Sequence, residues 1–165
     1  MNFKKPIFWD LKKPNIFSYL LLPFTIPVII NNFFLSIQKK YKFSKIKTVC
    51  IGNIYLGGTG KTPLTIKLFN IIKKMGFDVI TAKKFYSNQI DEQKLLKAKT
   101  KNIVSKRRID AINQAVNNSN QVIIFDDGLQ EKKIDYDLKI VCFKKKNWIG
   151  NGQLIPSGPL REKIE

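Results

Sequence analysis

"VCIGNIYLGGTGKTPLTIKLF", Val49 to Phe69, decides how this chain is to be read. It passes from an apolar strand through a glycine-rich turn to a lysine, a threonine and an amphipathic stretch. That order builds a phosphate-binding loop, where backbone N–H groups and a helix N-terminus surround an anion. Within GGTGKT, Lys61 is placed to reach the β- and γ-phosphates of a nucleotide, and Thr62 to ligate Mg²⁺. Gly57, Gly58 and Gly60, with Thr59 between them, let the backbone approach phosphate without a Cβ in the way. Tyr55 stands where the strict G-x-x-x-x-G-K-[ST] form has its first glycine, so the loop is a G-G-x-G-K-T variant. Its ligands are expected to be ATP and Mg²⁺.

A second stretch, "VIIFDDGLQ" (Val122 to Gln130), supplies what such a loop needs opposite it. Four apolar residues ending in an acid form the partner strand of a phosphate loop, which sets Asp126 beside Thr62 to hold the metal. Asp127 adds a carboxylate at the same edge. An Asp-Gly turn at a strand end is the plainer alternative.

Outward from these two stretches the pattern alternates between strand and helix. Strands are expected at 46–52, 78–82, 102–105, 121–128 and 138–143, and helices at 62–75 and 107–117. Continuous apolar strands separated by helices imply a parallel sheet with helices on both faces, the P-loop type of α/β fold. Residues 83–100 read as a polar loop, and 144–165, rich in Gly, Pro and Asn, as a structured loop. Cys50 and Cys142 sit in apolar runs and read as small buried hydrophobes. With no histidine and no Cys/His cluster, a zinc site is not expected.

Residues 1–44 are of another kind. "IFSYLLLPFTIPVIINNFFLSI" (Ile16 to Ile37) is strongly apolar and flanked by Lys12, Lys13, Lys39, Lys40 and Lys42. A spanning helix needs about 20 apolar residues. Pro23, Pro27 and Asn31–Asn32 would bend this one and bring polar groups to mid-depth, and basic flanks on both sides give no direction of crossing. A bent hairpin or helix in the membrane interface fits better, with packing on the domain or true spanning as the alternatives. The division is thus a membrane-associating segment, 1–44, and a nucleotide-binding domain, 45–165.

The net charge is +18, from 30 Lys+Arg against 12 Asp+Glu, which would ordinarily suggest nucleic acid or an anionic membrane. Nearly all of that charge is lysine, in a chain also heavy in asparagine and isoleucine. The excess therefore reads as compositional drift, and nucleic acid is not expected as a partner. Arg107, Arg108 and Arg161 are the three arginines, kept where a planar bidentate cation is useful.

The order of "GNIYLGGTGKTP", Asp91–Glu92, "DDGLQ" and "GNGQLIPSGPLRE", after an apolar segment with Trp9 and Leu22–Pro23, resembles the tetraacyldisaccharide 4'-kinases, or lipid A 4'-kinases. The resemblance covers essentially the whole chain. It implies transfer of the γ-phosphate of ATP to the 4'-hydroxyl of a tetraacyl glucosamine disaccharide 1-phosphate. The product is lipid IV-A, made at the cytoplasmic face of the inner membrane by a peripheral or monotopic enzyme. It also implies roles for residues. Lys61, Thr62 and Asp126 match nucleotide and Mg²⁺ positions, and Asp91 matches the carboxylate that helps deprotonate the sugar hydroxyl. Arg108 and Asp127 match active-site positions, while Glu92, Gln130 and Glu162 fall on motif positions near the acceptor.

Three segments depart from that family's pattern. "AKKFYSN" keeps Tyr86 but lacks the arginine and glycines of S-R-G-Y-G, "IDEQ" replaces G-D-E-P, and Glu131 stands in place of a histidine after DDGLQ. Family members also continue past GPLRE into a second α/β domain. The resemblance therefore implies a truncated chain that binds nucleotide but turns over poorly alone. A membrane-associated switch or chaperone ATPase is the competing class. Leu56, where nucleotide-sandwich ATPases carry a second lysine, and the lack of a guanine-reading N/T-K-x-D motif count against it.

Overall fold

The computed structural model describes residues 5–86 and 89–164. By internal contacts the chain forms two units, one of Lys39–Asn53 with Gly60–Cys142 and one of Met1–Gln38 with Ile54–Thr59 and Phe143–Glu165. This division is not the sequence boundary at 44/45, because the tail 143–165 groups with the N-terminal segment.

The first unit is a parallel sheet. Its strands are β1 (Lys47–Gly52), β2 (Val79–Lys84), β3 (Asn102–Ser105), β4 (Val122–Asp126) and β5 (Leu138–Val141), in the order β3-β2-β4-β1-β5. Every pairing is parallel, with Cys50 opposite Phe125 and Ala82 opposite Phe125 on the other side. Alternation along the strands divides the core. Cys50, Ile80, Ala82, Ile123 and Phe125 pack with Ala111, Ile112 and Ala115 of α5 (Arg108–Asn117). Val49, Ile51, Val79, Val122 and Ile124 pack with Phe69 of α3 (Lys61–Lys74). Helices on both faces of a parallel sheet are what the apolar strand runs predicted. Phe125 and Tyr136 meet edge-on at 5.5 Å, a geometry that adds about 0.5–1.5 kcal/mol beyond burial. Burial pushes the Cys50 thiol up to about 12, so this cysteine is inert packing.

Helix α3 starts at the loop because Gly60 takes φ 82°, a left-handed turn that favours glycine. Thr62, Thr65 and Phe69 form its buried face, while Lys73 and Lys74 in the last turn oppose the negative end of the helix dipole. It ends before Gly76, as expected.

The sequence reading fails at residues 83–100. β2 continues to Lys84, and Ile90–Lys99 is a helix, α4. Asp91 and Glu92 therefore stand on the first turn of a helix, not on a polar loop. Only Leu96 of α4 is buried, so no apolar stripe announced it. Its helix signal is electrostatic: acids in the first turn, Lys97 and Lys99 in the last. Ser87 and Asn88, at the end of the AKKFYSN segment, lie outside the described residues.

In the other unit, α1 (Ile16–Leu21), a 3₁₀ turn (Leu22–Thr25) and α2 (Ile26–Ser36) follow without a break. Asn15 caps α1 by accepting from the Ser18 N–H at 3.0 Å. Pro23 and Pro27 both fall in first turns, where the missing N–H costs little. Of the two forms expected, hairpin or helix, the run takes the second: it is helical from Ile16 to Ser36. The tail is held on residues of the N-terminal segment, Trp9 among them, by polar contacts. Trp9 donates to the Pro156 carbonyl at 3.0 Å, Asn151 to Ser18 Oγ at 2.9 Å, Ser157 to the Ser18 carbonyl at 2.6 Å, and Asn32 to the Arg161 carbonyl at 2.8 Å. A Cβ on Gly150 would lie 2.1 Å from the Trp9 carbonyl oxygen, so only glycine fits there.

Candidate active site

In the sheet unit, the carboxyl ends of β1, β2 and β4 face the start of α3, where ligands of open α/β sheets bind. Thr62, the second residue of α3, donates its hydroxyl to Asp126 Oδ2 at 2.9 Å, and Thr65 reaches Oδ1 at 3.3 Å. Asp126 ends β4 with its side chain 0% exposed. Lys61 donates to Asn53 Oδ1 at 2.9 Å, with Asp127 Oδ1 3.6 Å away. Asp127 turns the chain at φ 63°. A Cβ on Gly52 would lie 2.5 Å from the Leu129 side chain, so the strand before the loop and the DDGLQ turn can pack only through glycine.

Arg108, the first residue of α5, is 5% exposed. It donates to the Asp127 carbonyl and lies 3.9 Å from Glu131. Glu131, the residue in the place of a histidine, thus faces a guanidinium. Arg107 differs: it is exposed and pairs with Asp110 at 2.8 Å.

The residue that sequence reasoning missed is Lys83. Its side chain is 1% exposed, with Nζ 2.7 Å from Asp126 Oδ2 and in contact with Glu92 Oε2. Burial alone would lower this ammonium, but Asp126 and Glu92 outweigh it and hold Lys83 above the ordinary lysine value. Lys83 looked like one more lysine in a lysine-rich stretch. Its signal was that it continues an apolar strand by one step, at the end where the chemistry lies.

The unit therefore joins Lys61, Thr62, Asp126, Asp127, Arg108 and, through Lys83, Glu92. Asp91 is exposed next to Glu92, and Gln130 is exposed three residues beyond Asp127. Gly57, Gly58, Thr59 and Glu162 belong to the other unit. There, Gly57 takes φ 136°, and a cavity of about 520 Å³ is lined by Lys5, Tyr55, Leu56, Gly57, Gly58, Lys144 and Asn147.

Five buried side-chain atoms among the described residues have no hydrogen-bond partner; in the sheet unit one of them, Arg108 Nε, is a charged donor fit for an anion, and Thr59 Oγ1, in the loop, is another of the five. The donors at Thr62 and Asp126 are a hydroxyl and a carboxylate, the oxygen ligands that Mg²⁺ prefers. No group of three or more His, Cys, Asp or Glu side chains able to hold a metal occurs among the described residues. The Thr62–Asp126 pair suits Mg²⁺, which is commonly held by one or two carboxylates plus substrate phosphates.

A parallel sheet whose first strand feeds a glycine loop into a helix, with an opposing strand-end carboxylate, defines a P-loop α/β protein. A family model described as tetraacyldisaccharide-1-P 4'-kinase, LpxK, matches residues 18–90 and 79–165. The chain belongs to that family. The tetraacyldisaccharide 4'-kinase of Pelagibacter ubique is 55% identical over 99% of this chain and 52% of its own length. That of Rickettsia bellii is 30% identical over 95% of this chain and 53% of its own. The crystal structure of LpxK from Aquifex aeolicus in complex with ATP aligns with a TM-score of 0.72 at 25% identity, over 89% of this chain and 55% of that one. The chain thus spans about half the length of the curated relatives it matches. The resemblance read from the motifs holds.

Proposed function

We propose that the chain is the nucleotide-binding part of a kinase that phosphorylates the 4'-hydroxyl of tetraacyldisaccharide 1-phosphate to give lipid IV-A. The observation that carries this is the Thr62–Asp126 hydrogen bond, which joins the phosphate loop to its partner strand in a chain of this family. Bound ATP would supply the phosphoryl group, and Mg²⁺ would offset part of the charge on its phosphates. Thr62 and Asp126 would hold the ion. Gly57, Gly58, Thr59 and Gly60 offer backbone to the phosphates, and the Lys61 ammonium binds them. Arg108, anchored on the Asp127 carbonyl, keeps its Nε for an anion. Asp91 accepts the proton of the sugar hydroxyl, and Glu92, Gln130 and Glu162 contact the acceptor. Nothing in the fold or the comparisons favours a switch or chaperone ATPase.

Lys61→Ala should weaken ATP binding about 10- to 100-fold, the value of a charge-assisted contact of 1.5–3 kcal/mol. Lys84→Ala, on the same strand end as Lys83 but outside the cluster, should leave it within about twofold. Calorimetric titration with Mg²⁺ present decides this, and equal affinity in wild type and Lys61→Ala would count against the site.

The membrane surface is part of the same reading. Ile16–Ser36 is a 21-residue helical run containing an 18-residue stretch of mean hydropathy 1.6, 11% of it buried, long and apolar enough to cross a membrane by length and composition. Phe17, Leu20, Phe24, Phe33 and Phe34 are exposed on it. We place it in the interface of the inner-membrane cytoplasmic leaflet, beside its lipid substrate. Vesicles containing anionic lipid should bind the protein, with a salt-sensitive part of about 1 kcal/mol per surface lysine and a salt-resistant apolar part. Labels at residues 5 and 42 should report the same side of the bilayer; opposite sides would mean that the segment spans.

A further inference from the structure

We infer that Lys83 is a built-in counter-cation of the Asp126 carboxylate, which holds the divalent-cation position closed until a nucleotide brings its own negative charge. The inference rests on the reading of Thr62 and Asp126 as the cation ligands. It starts from an oddity of the sheet: a lysine in the sequence position of a core strand residue, with its side chain 1% exposed against a carboxylate that is 0% exposed. Neither group can exchange its partner for bulk water. Asp126 Oδ2 already receives the Thr62 hydroxyl at 2.9 Å and Lys83 Nζ at 2.7 Å, and Oδ1 receives Thr65 at 3.3 Å.

A divalent ion arriving at Asp126 alone therefore meets an ammonium at hydrogen-bonding distance. Like charges so close repel strongly at the low effective dielectric of a protein interior. Lys61 and Arg108 are further cations of the same cluster, each with a carboxylate near it, Asp127 at 3.6 Å and Glu131 at 3.9 Å, so the repulsion a bare divalent ion meets at Asp126 comes chiefly from Lys83. Entry becomes favourable once phosphate oxygens offset those cations. The Lys83 ammonium also has a second carboxylate at hand, since Nζ contacts Glu92 Oε2, and the Glu92 side chain is 51% exposed. Releasing Asp126 to the metal leaves the ammonium on Glu92, in the first turn of α4 that carries Asp91. Lys83 thereby connects the cation position to the helix holding the proposed base. It is a positioning residue that acts through Asp126 and Glu92.

The test is Mn²⁺ binding to the nucleotide-free 165-residue chain, followed by electron paramagnetic resonance of the unbound ion. Wild type should bind Mn²⁺ weakly, and Lys83→Met should bind it about tenfold more tightly or better. Lys83→Gln, which keeps a donor at Asp126 without the charge, should behave in the same direction and guards against misfolding of the methionine variant. Lys83→Arg should stay as weak as wild type, and Asp126→Asn in the Lys83→Gln background should remove the gain. Mn²⁺ affinity in Lys83→Met and Lys83→Gln no greater than in wild type would overturn the inference while leaving the cation site standing. Absence of Mn²⁺ binding in every form without ATP, together with no further loss of free Mn²⁺ when protein is added to a mixture of Mn²⁺ and ATP, would overturn the cation-site reading and the inference together.

Discussion

Replacing Asp126 by alanine is expected to lower the unfolding free energy by about 3–5 kcal/mol, because it leaves a buried ammonium without its buried partner. The side chains of Lys83 and Asp126 are 1% and 0% exposed, so water cannot take over the lost contact. Thr62 and Thr65 lose their acceptor in the same step, and each buried hydroxyl left unmatched adds to the cost. Glu92 softens the loss only partly, since it lies at the surface end of Lys83. The double variant Lys83→Met/Asp126→Leu should recover most of the deficit, as apolar replacements of buried ion pairs are often neutral or stabilising. Urea denaturation of the two single variants and the double variant measures this as a cycle. A loss below about 1 kcal/mol for Asp126→Ala would mean that the pair is far better solvated than its burial implies.

The parts of this molecule legible in the sequence are those governed by local periodicity. β1, β4 and α3 followed from apolar runs bounded by glycine, and their pairing placed Thr62 against Asp126 as the motif demands. α4 escaped because it lies on the unit with one buried residue, Leu96, and so lacks an apolar stripe. Its charge pattern, acids first and lysines last, was the readable signal. The Lys83 contacts were hidden for a different reason. Burial of a lysine is decided by the carboxylates that surround it, Asp126 at a distance of 43 residues along the chain and Glu92 on the missed helix. Arg108 was legible as an arginine in a lysine-rich chain, but its hold on the Asp127 carbonyl depends on where α5 meets the end of β4. The continuous helical rod at 16–36 reflects prolines placed in first turns, where they start helical segments instead of separating two arms.

The second large effect is expected at Asp91. It lies exposed on the first turn of α4, one residue from the Glu92–Lys83 contact. General-base assistance is worth about 10²–10⁴-fold in rate. Asp91→Ala should therefore reduce phosphoryl transfer by about that factor, while ATP affinity changes by no more than about twofold, since its proposed role is toward the sugar hydroxyl and not the phosphates. Because the chain corresponds to about half of its relatives' length, the most direct measurement uses a chimera. Residues 1–165 replace the matching half of the Pelagibacter ubique relative, and transfer of labelled phosphate from ATP to tetraacyldisaccharide 1-phosphate is followed in detergent. The account predicts transfer by the chimera and its loss on Asp91→Ala with ATP binding intact. A chimera that binds ATP yet transfers no phosphate, or transfers it equally well without Asp91, would contradict it.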